Sequence, residues 1–133
     1  MPSMTLIRGV SGSGKSTLAA KMAGAMGACH FEADNFWIQS GSYQFDASRL
    51  KEAHAWCQDQ VRTALSLGDN VIVSNTFTAE WELEPYLQMA GDYGCEITVI
   101  VVENRHGNRD IHGVPDEVRA RQAEKLRDSL KLI

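Results

Sequence analysis

Short apolar runs alternate with longer amphipathic stretches along the chain. Four runs have the length and apolar character of strands: Thr5–Ile7, Cys29–Glu32, Val71–Val73 and Glu96–Val102. Four stretches have the caps or apolar spacing of helices: Ser16–Met26, Asp46 (an N-cap) to about Leu67, Thr78 (a cap) to Ala90, and a last helix that begins at Pro115. Pro85 should break or kink the third helix. Alternating strands and helices predict an α/β layered fold with a mainly parallel sheet, covered by helices on both faces.

Length and charge narrow the class of protein. The chain has 133 residues, which fits one domain over 1–133 without linkers or repeats. The hydrophobic fraction of 44% excludes a disordered chain. No apolar run approaches the ~18 residues of a membrane span, and the first residues lack a signal-peptide pattern. A net charge of −4 argues against a broad nucleic-acid-binding face, so extended duplex binding is not expected.

The cysteines favour a reducing compartment. Cys29, Cys57 and Cys95 form neither a disulfide framework nor a zinc ribbon, because their number is odd and no two lie close together. We therefore expect free thiols and a cytoplasmic location, in the host cytoplasm if the gene belongs to a phage. The H-x-E spacing of His30 and Glu32 also occurs in zinc deaminases, but the P-C-x-x-C that must follow is missing.

One motif carries specific chemistry. Gly9 to Thr17 reads G-V-S-G-S-G-K-S-T and satisfies the P-loop (Walker A) pattern G-x-x-x-x-G-K-[ST] between a predicted strand and helix. The glycines let the backbone wrap a phosphate chain, and the loop N–H groups and helix N-terminus point at the anion. Lys15 should reach the β- and γ-phosphates, and the Ser16 hydroxyl should bind Mg²⁺. The predicted phosphate contacts are Gly9, Ser11, Gly12, Ser13, Gly14, Lys15, Ser16 and Thr17, joined by Arg105.

Further candidates follow the predicted strands, where parallel α/β sheets place their ligands. Asp34, after strand two, is a candidate general base for an acceptor hydroxyl, or a partner of Mg²⁺ through water; the alternative is a turn cap. Phe36 and Trp37 suit packing against a ring, or a satellite core. Ser74, Asn75 and Thr76 follow strand three and suit the metal shell, a phosphate or substrate, or a turn; residues 71–79 contain no Walker B acid.

The segment after strand four is a predicted lid over about residues 103–114. Two arginines and two histidines fall within eight residues there, which makes it the densest cationic cluster of the chain. An arginine that reaches a transferring phosphate from such a position can accelerate transfer by ~10³ or more. The alternative is a solvated loop. For His54, beside the apolar stripe of the second predicted helix, a structural role is the expectation.

Several motifs together resemble one family. They comprise the P-loop, Ala33–Phe36, Gly41–Tyr43 with Phe45–Asp46, Ala53–Trp56, Val71–Thr76, Trp81–Glu82 with Pro85–Tyr86, and His112–Pro115. The chain, from residue 4 to about 127, resembles the small P-loop "AAA family ATPase" proteins common in phage and bacterial genomes. These are similar to the 5′-kinase domain of phage polynucleotide kinase.

The resemblance implies a P-loop kinase fold with strand order 2-3-1-4, an ATP–Mg²⁺ site, and phosphoryl transfer to a hydroxyl. By position Asp34 matches the general base, and Arg109 matches the lid arginine that contacts the transferring phosphate. Trp37 stands where the polynucleotide kinase has an acceptor-binding arginine, and the lid is short. We expect no C-terminal helical subdomain of the kind found in ring-forming ATPases.

Three functions fit these residues. The leading interpretation is an ATP-dependent kinase whose acceptor is a hydroxyl of a nucleotide, a nucleoside or a nucleic-acid 5′-end, with Lys15, Asp34 and Arg109 as catalytic residues. The alternative is a slow ATPase or nucleotide-dependent switch that acts through a partner protein. The third is a nucleotide-binding module without turnover. Oligomeric state has no signal in the sequence.

Overall fold

The computed structural model describes residues 2–38, 41–103 and 114–130. Its strands are β1 (Ser3–Arg8), β2 (Cys29–Phe31), β3 (Val71–Asn75) and β4 (Glu96–Val101). Its α-helices are α1 (Lys15–Met26), α2 (Leu50–Ser66), α3 (Glu80–Tyr93) and α4 (Asp116–Ser129). Two short 3₁₀ helices, Ala33–Ile38 and Ala47–Arg49, lie between β2 and α2. The predicted alternation of strands and helices is confirmed.

The four strands form one parallel sheet in the order β2-β3-β1-β4, as the family resemblance implied. Leu6 of β1 pairs with Val73 and Val99, and Phe31 of β2 pairs with Val73 from the other side. This register places the residues that follow β1 and β2 beside the last residues of β3. The P-loop therefore lies next to the segment that carries Glu32 and Asp34.

Hydrophobic cores cover both faces of the sheet. On one face Met4, Leu6, Val71 and Val73 pack with the buried residues of α2 and α3. On the other face Ile7 and Ile72 pack against Ala19 of α1. Successive strand residues alternate between these two cores because strand side chains point to opposite faces. Two-sided burial explains the apolar residues of β1 and β3. It does not extend to β4, which lies at the edge of the sheet and is exposed over its first four residues, including Ile97 and Val99.

The third helix departs from the prediction at Pro85. The helix α3 is one continuous element over Glu80–Tyr93 with Pro85 inside it, so of the predicted break or kink the break is absent. Pro85 removes a single N–H, whereas Leu83, Tyr86 and Met89 bury one face of the helix and favour its continuation.

The start of α3 also differs from the prediction. The carboxylate of Glu82 accepts from the Ala79 N–H at 2.9 Å and from the Thr78 hydroxyl at 3.0 Å. Because the Thr78 hydroxyl binds this carboxylate, the helix begins two residues after the predicted cap.

Strand β3 is longer than predicted. Ser74 and Asn75 belong to it and are buried, although polarity alone suggested that they follow the strand. They remain in the strand because the central position of β3, between β1 and β2, supplies backbone partners on both sides. This extension carries both side chains to the base of the site described below.

Arg8 ends β1 and is buried directly before the P-loop. Its Nε donates to the Phe77 carbonyl at 2.9 Å, and its Nη2 donates to the Ser129 hydroxyl at 2.7 Å. Phe77 has a φ of 46°, which L-residues rarely adopt, and its ring is fully buried. Burial lowers the pKa of the Arg8 guanidinium, and Glu82 and Glu80 act in the opposite direction. Arg8 thus joins the base of the P-loop to the β3–α3 connection and to the end of α4.

No helix among the residues that the structure describes is long and apolar enough to cross a membrane.

Candidate functional site

The P-loop connects β1 to α1 and has the backbone conformation that its glycines permit. Gly12 and Gly14 have φ values of 79° and 96°, in the region where a side chain would be strained. Lys15 is the first residue of α1, and its Nζ donates to the Val10 carbonyl at 3.3 Å. The start of α1, the loop backbone and the Lys15 ammonium therefore surround the same space. Such an arrangement can hold a phosphate chain.

Gly9 is required by close approach rather than by its backbone angles. A Cβ at this position would lie 2.6 Å from the Ser13 hydroxyl and 3.0 Å from the Val102 carbonyl. The Gly9 N–H donates to the Thr76 carbonyl at 3.3 Å. The first P-loop glycine thus lets the loop fold against β4 and the end of β3.

Glu32 is a site residue that the sequence analysis did not assign to the site. It directly follows β2, and its Oε2 accepts hydrogen bonds from the Ser16 hydroxyl at 2.7 Å and the Ser74 hydroxyl at 2.9 Å. The signal was present in the sequence, because an acid at the carboxyl end of the strand beside β3 must lie near the P-loop helix. This carboxylate takes the place beside Ser16 for which no acid was found over residues 71–79.

His30 lies behind this carboxylate. Its Nε2 is 2.6 Å from the Ser74 hydroxyl and 3.7 Å from Glu32 Oε2. Burial lowers the pKa of the His30 imidazole, and the charge of Glu32 raises it. His30 and Ser74 therefore hold the Glu32 carboxylate in a partly buried polar network that faces Ser16.

The donor set beside the P-loop fits Mg²⁺. Magnesium prefers hard oxygen ligands and binds through one or two carboxylates, with phosphates and water as further ligands. The Ser16 hydroxyl and the Glu32 carboxylate meet this description, and they already share a hydrogen bond of 2.7 Å. No group of three or more His, Cys, Asp or Glu side chains suited to a metal ion occurs in the described ranges. A metal bound here would therefore depend on nucleotide oxygens as well.

Asp34 lies on the 3₁₀ helix Ala33–Ile38, exposed at the wall of the cleft that contains the P-loop. The Asn75 side chain fixes this helix, because its Oδ1 accepts from the Ala33 N–H at 2.9 Å. The Asn75 Nδ2 donates to the Cys57 sulfur at 4.0 Å. Asn75 was predicted to bind substrate; the observed contacts hold the segment that carries Asp34.

The cleft has a volume of about 790 Å³. Its polar lining and the P-loop contribute Ser11, Gly12, Gly14, Lys15, Ser16, Thr17, Glu32, Asp34, Ser74, Asn75 and Thr76. The other lining residues are mainly apolar or aromatic: Ala33, Trp37, Tyr43, Phe45, Leu50, Ala53, His54, Val114, Pro115, Val118 and Gln122. Of this second set, only Trp37 was predicted to contact a ligand, and Val114 ends the predicted lid.

The two predicted aromatic contacts differ in position. Trp37 is buried and lines the cleft, with its ring packed edge-on against Phe45 at 5.2 Å between centroids. Phe36 does not line the cleft; the Arg49 guanidinium lies 4.9 Å from the centre of its ring, and Trp56 packs nearby. Only one of the pair is therefore placed to affect a bound ligand directly.

Helix α4 touches the P-loop. The Arg119 Nε donates to the Ser11 carbonyl at 2.8 Å, and the Gln122 Oε1 accepts from the Ser11 N–H at 3.0 Å. Both backbone groups of Ser11 are thus held by the helix that follows the predicted lid. The sequence pattern gave no signal for this contact, because Arg119 and Gln122 belong to a uniformly polar stretch.

The predicted phosphate contacts Arg105 and Arg109 and most of the predicted lid fall between residues 104 and 113, outside the described residues. The P-loop, Asp34, Trp37, Asn75 and Thr76 lie together around one cleft, as the carboxyl-end argument required. Their chemical roles remain predictions.

Two curated relatives resemble this chain over most of its length. NEDD4-binding protein 2 from Homo sapiens is 31% identical over 134 residues, covering 91% of this chain. The chain spans 7% of the length of that human protein. Uncharacterized protein PM0531 from Pasteurella multocida (strain Pm70) is 32% identical over 134 residues, which covers 89% of this chain and 73% of the relative.

Solved structures share the fold. A chain of the Pnkp1/Rnl/Hen1 RNA repair complex matches with a TM-score of 0.77 at 17% identity, covering 96% of this chain and 45% of its own. A gluconokinase from Sinorhizobium meliloti 1021 matches with a TM-score of 0.65 at 20% identity, covering 99% and 79%. The Mycobacterium tuberculosis APS kinase CysC in complex with AMPPNP and APS matches with a TM-score of 0.56 at 17% identity, covering 76% and 62%.

The family model for the AAA domain AAA_33 matches residues 4–131, almost the whole chain. The strand order, the P-loop and these matches all indicate the same family and fold. The chain belongs to the AAA domain family AAA_33 and has the fold of the P-loop kinases.

Proposed function

We propose that this protein is a kinase that transfers the γ-phosphoryl group of ATP to a hydroxyl group. The observation that carries the proposal is the arrangement of two carboxylates around one P-loop. Glu32 contacts the Ser16 hydroxyl, and Asp34 stands two residues further along the same cleft wall. The two acids are available for different tasks, one beside the metal position and one toward the acceptor.

The P-loop binds the nucleotide. The loop N–H groups other than those of Ser11 and Ser13, which donate to Gln122 and Val10, bind the phosphates together with Lys15. Ser16 and Glu32 would hold Mg²⁺. When bound, the metal neutralises charge on the β- and γ-phosphate oxygens. The complex of a structural neighbour with AMPPNP supports ATP as the nucleotide. Phosphoryl transfer requires mainly positioning and charge stabilisation, and this cleft supplies both.

Asp34 activates the acceptor. Its carboxylate is exposed on the cleft wall, and its backbone is held through Asn75 and Ala33. A carboxylate in this position can accept the proton of an acceptor hydroxyl while the oxygen attacks the γ-phosphorus. Arg109 is the proposed cation for the transferring phosphate, by the family resemblance. The gluconokinase and APS kinase matches support a hydroxyl acceptor.

The test is transfer of labelled γ-phosphate from ATP to a panel of hydroxyl acceptors. Asp34→Asn should lower kcat by about 10²–10⁴-fold, the usual contribution of a general base, with ATP affinity unchanged. Lys15→Ala should weaken ATP binding itself. Asp92→Asn, an exposed change on α3 away from the cleft, is the matched control and should leave both quantities unchanged.

Three outcomes would contradict the proposal in part or in whole. Equal product from the native protein and Asp34→Asn would remove Asp34 as the base. Phosphate release that needs no acceptor, and that Asp34→Asn leaves intact, would favour the slow ATPase or switch instead. Tight ATP binding without any turnover would favour the binding module.

A further inference from the structure

The cleft that contains the P-loop also has an aromatic wall. Phe45 lines it with 55% of its surface exposed, which is unusual for a phenylalanine. The buried Trp37 packs edge-on against Phe45 at 5.2 Å between ring centroids. Tyr43, Leu50 and His54 also line the cleft. These three residues and Phe45 are here named the ring pocket. A supported and exposed ring is a surface on which another flat ring can stack.

The ring pocket is fixed to the segment that carries Asp34. The Gln44 N–H, between Tyr43 and Phe45, donates to the Trp37 carbonyl at 2.9 Å. Trp37 and Asp34 belong to the same 3₁₀ helix. The ring pocket and the proposed base are therefore parts of one local structure, so a ligand that stacks on Phe45 can present a hydroxyl group to Asp34.

The charged side chains among the described residues of the cleft disfavour an anionic acceptor. Among the cleft-lining residues that the structure describes, Lys15 alone is a lysine or arginine, and Glu32 and Asp34 are acids. Arg49 is near in sequence but is engaged elsewhere, since it lies over the Phe36 ring and binds Glu52 at 2.9 and 3.0 Å. A phosphate group on the acceptor would find carboxylates here, and no described guanidinium.

From these observations we infer that the acceptor is a free nucleoside, with its base in the ring pocket and a sugar hydroxyl at Asp34. A nucleoside combines a flat ring, a nearby hydroxyl and no charge, and the His54 imidazole offers a polar group to the edge of its base. The inference rests on the proposed kinase function. The hydroxyl oxygen bonds to the γ-phosphorus, the bond from that phosphorus to the β–γ bridging oxygen breaks, ADP leaves with the electron pair, and the proton passes to Asp34.

The first experiment measures kcat/KM for four kinds of acceptor: ribonucleosides, their 3′-phosphates, short oligonucleotides with a 5′-hydroxyl, and gluconate as a ring-free polyol. Nucleosides should exceed the other three at least tenfold. Phe45→Ala should raise the KM for nucleosides about 5- to 100-fold, the range expected from lost base stacking, with kcat and the KM for ATP little changed. Phe45→Trp should retain a low KM. Trp81→Ala, which removes an exposed aromatic outside the cleft, should change none of these values.

Other outcomes would overturn the inference. If gluconate, 3′-phosphates or oligonucleotides are the better acceptors, the acceptor is not a free nucleoside, although the kinase function stands. If no acceptor is phosphorylated, the kinase function fails. Calorimetric titration of adenosine into the AMPPNP-loaded protein then tests whether a nucleoside site exists without turnover. Binding that Phe45→Ala abolishes would retain a nucleoside site, and absence of binding would eliminate it.

Discussion

The Ser16 hydroxyl donates a hydrogen bond of 2.7 Å to the Oε2 atom of Glu32. The two residues follow different strands, Ser16 after β1 and Glu32 after β2. They meet because β1 and β2 flank β3 and, in a parallel sheet, both end at the same edge. The P-loop serine is predicted to bind Mg²⁺, so the acid that touches it is the acid best placed to share that ion. This contact supplies the negative charge that the third strand lacks.

Replacement of Glu32 should therefore affect metal use. We expect Glu32→Gln to lower the apparent affinity for Mg²⁺ in the ATP complex by about 10- to 100-fold, since loss of a charged partner near a metal has effects of this size. Magnesium titrations of turnover and of ATP binding measure the shift. Glu84→Gln, an exposed change on α3, is the matched control. An unchanged magnesium midpoint in Glu32→Gln would show that Glu32 takes no part in metal binding.

The two glycines Gly9 and Gly24 should respond to alanine in opposite directions. At Gly9 the new Cβ would meet the Ser13 hydroxyl at 2.6 Å and the Val102 carbonyl at 3.0 Å, so the substitution should cost about 1–3 kcal/mol of stability. At Gly24, inside α1, a Cβ meets nothing within 4 Å, and alanine should add about 0.5–1 kcal/mol. Urea unfolding of both variants tests the pair. A Gly9→Ala protein as stable as the native chain would mean that the loop moves away from β4 without cost.

Tyr86 should tolerate, and benefit from, loss of its hydroxyl. The side chain is buried in the core, and its hydroxyl lies near the Cys57 thiol and the Asn75 side chain without a hydrogen bond of good geometry to any described residue. Burial also raises the pKa of this phenol, so the group stays neutral. Phenylalanine retains the edge-on packing against Phe77 and removes a buried polar atom, which should raise the free energy of unfolding by about 1 kcal/mol.

Thermal unfolding of Tyr86→Phe tests this expectation. The exposed Tyr93→Phe serves as control and should leave the melting temperature unchanged. A clear loss of stability in Tyr86→Phe would reveal a hydrogen bond to the hydroxyl, for example through an ordered water.

The sequence pattern predicted the elements well where a strong local signal existed. The apolar runs predicted all four strands, and the P-loop predicted its own position between β1 and α1. Asp46 was predicted to cap the second helix, but it caps the 3₁₀ turn Ala47–Arg49 that precedes α2, where its carboxylate accepts from the Ser48 N–H at 3.0 Å. That hydrogen bond, together with one from the Ser48 hydroxyl, lowers the pKa of Asp46.

Predictions failed where tertiary contacts outweigh local preference. Pro85 lies inside a continuous helix because the buried face of α3 continues past it. Glu32 was overlooked because its contact with Ser16 follows only when its position at the end of β2 is combined with the strand order that the family resemblance implied. The ring pocket was missed because Phe45 and His54 are separated in sequence from Asp34 and meet it only through the 3₁₀ helix and α2.

The hydrogen bond from Arg8 to Ser129 spans 121 positions of the chain. Ribosomes release the N-terminal residues first, so the P-loop leaves the exit tunnel long before the end of α4 exists. Until then the Arg8 guanidinium lacks one of its final partners and must stay hydrated, because a buried cation without partners is costly. We therefore expect nascent chains that stop short of Ser129 to hold nucleotide poorly, although they already contain every residue of the phosphate loop.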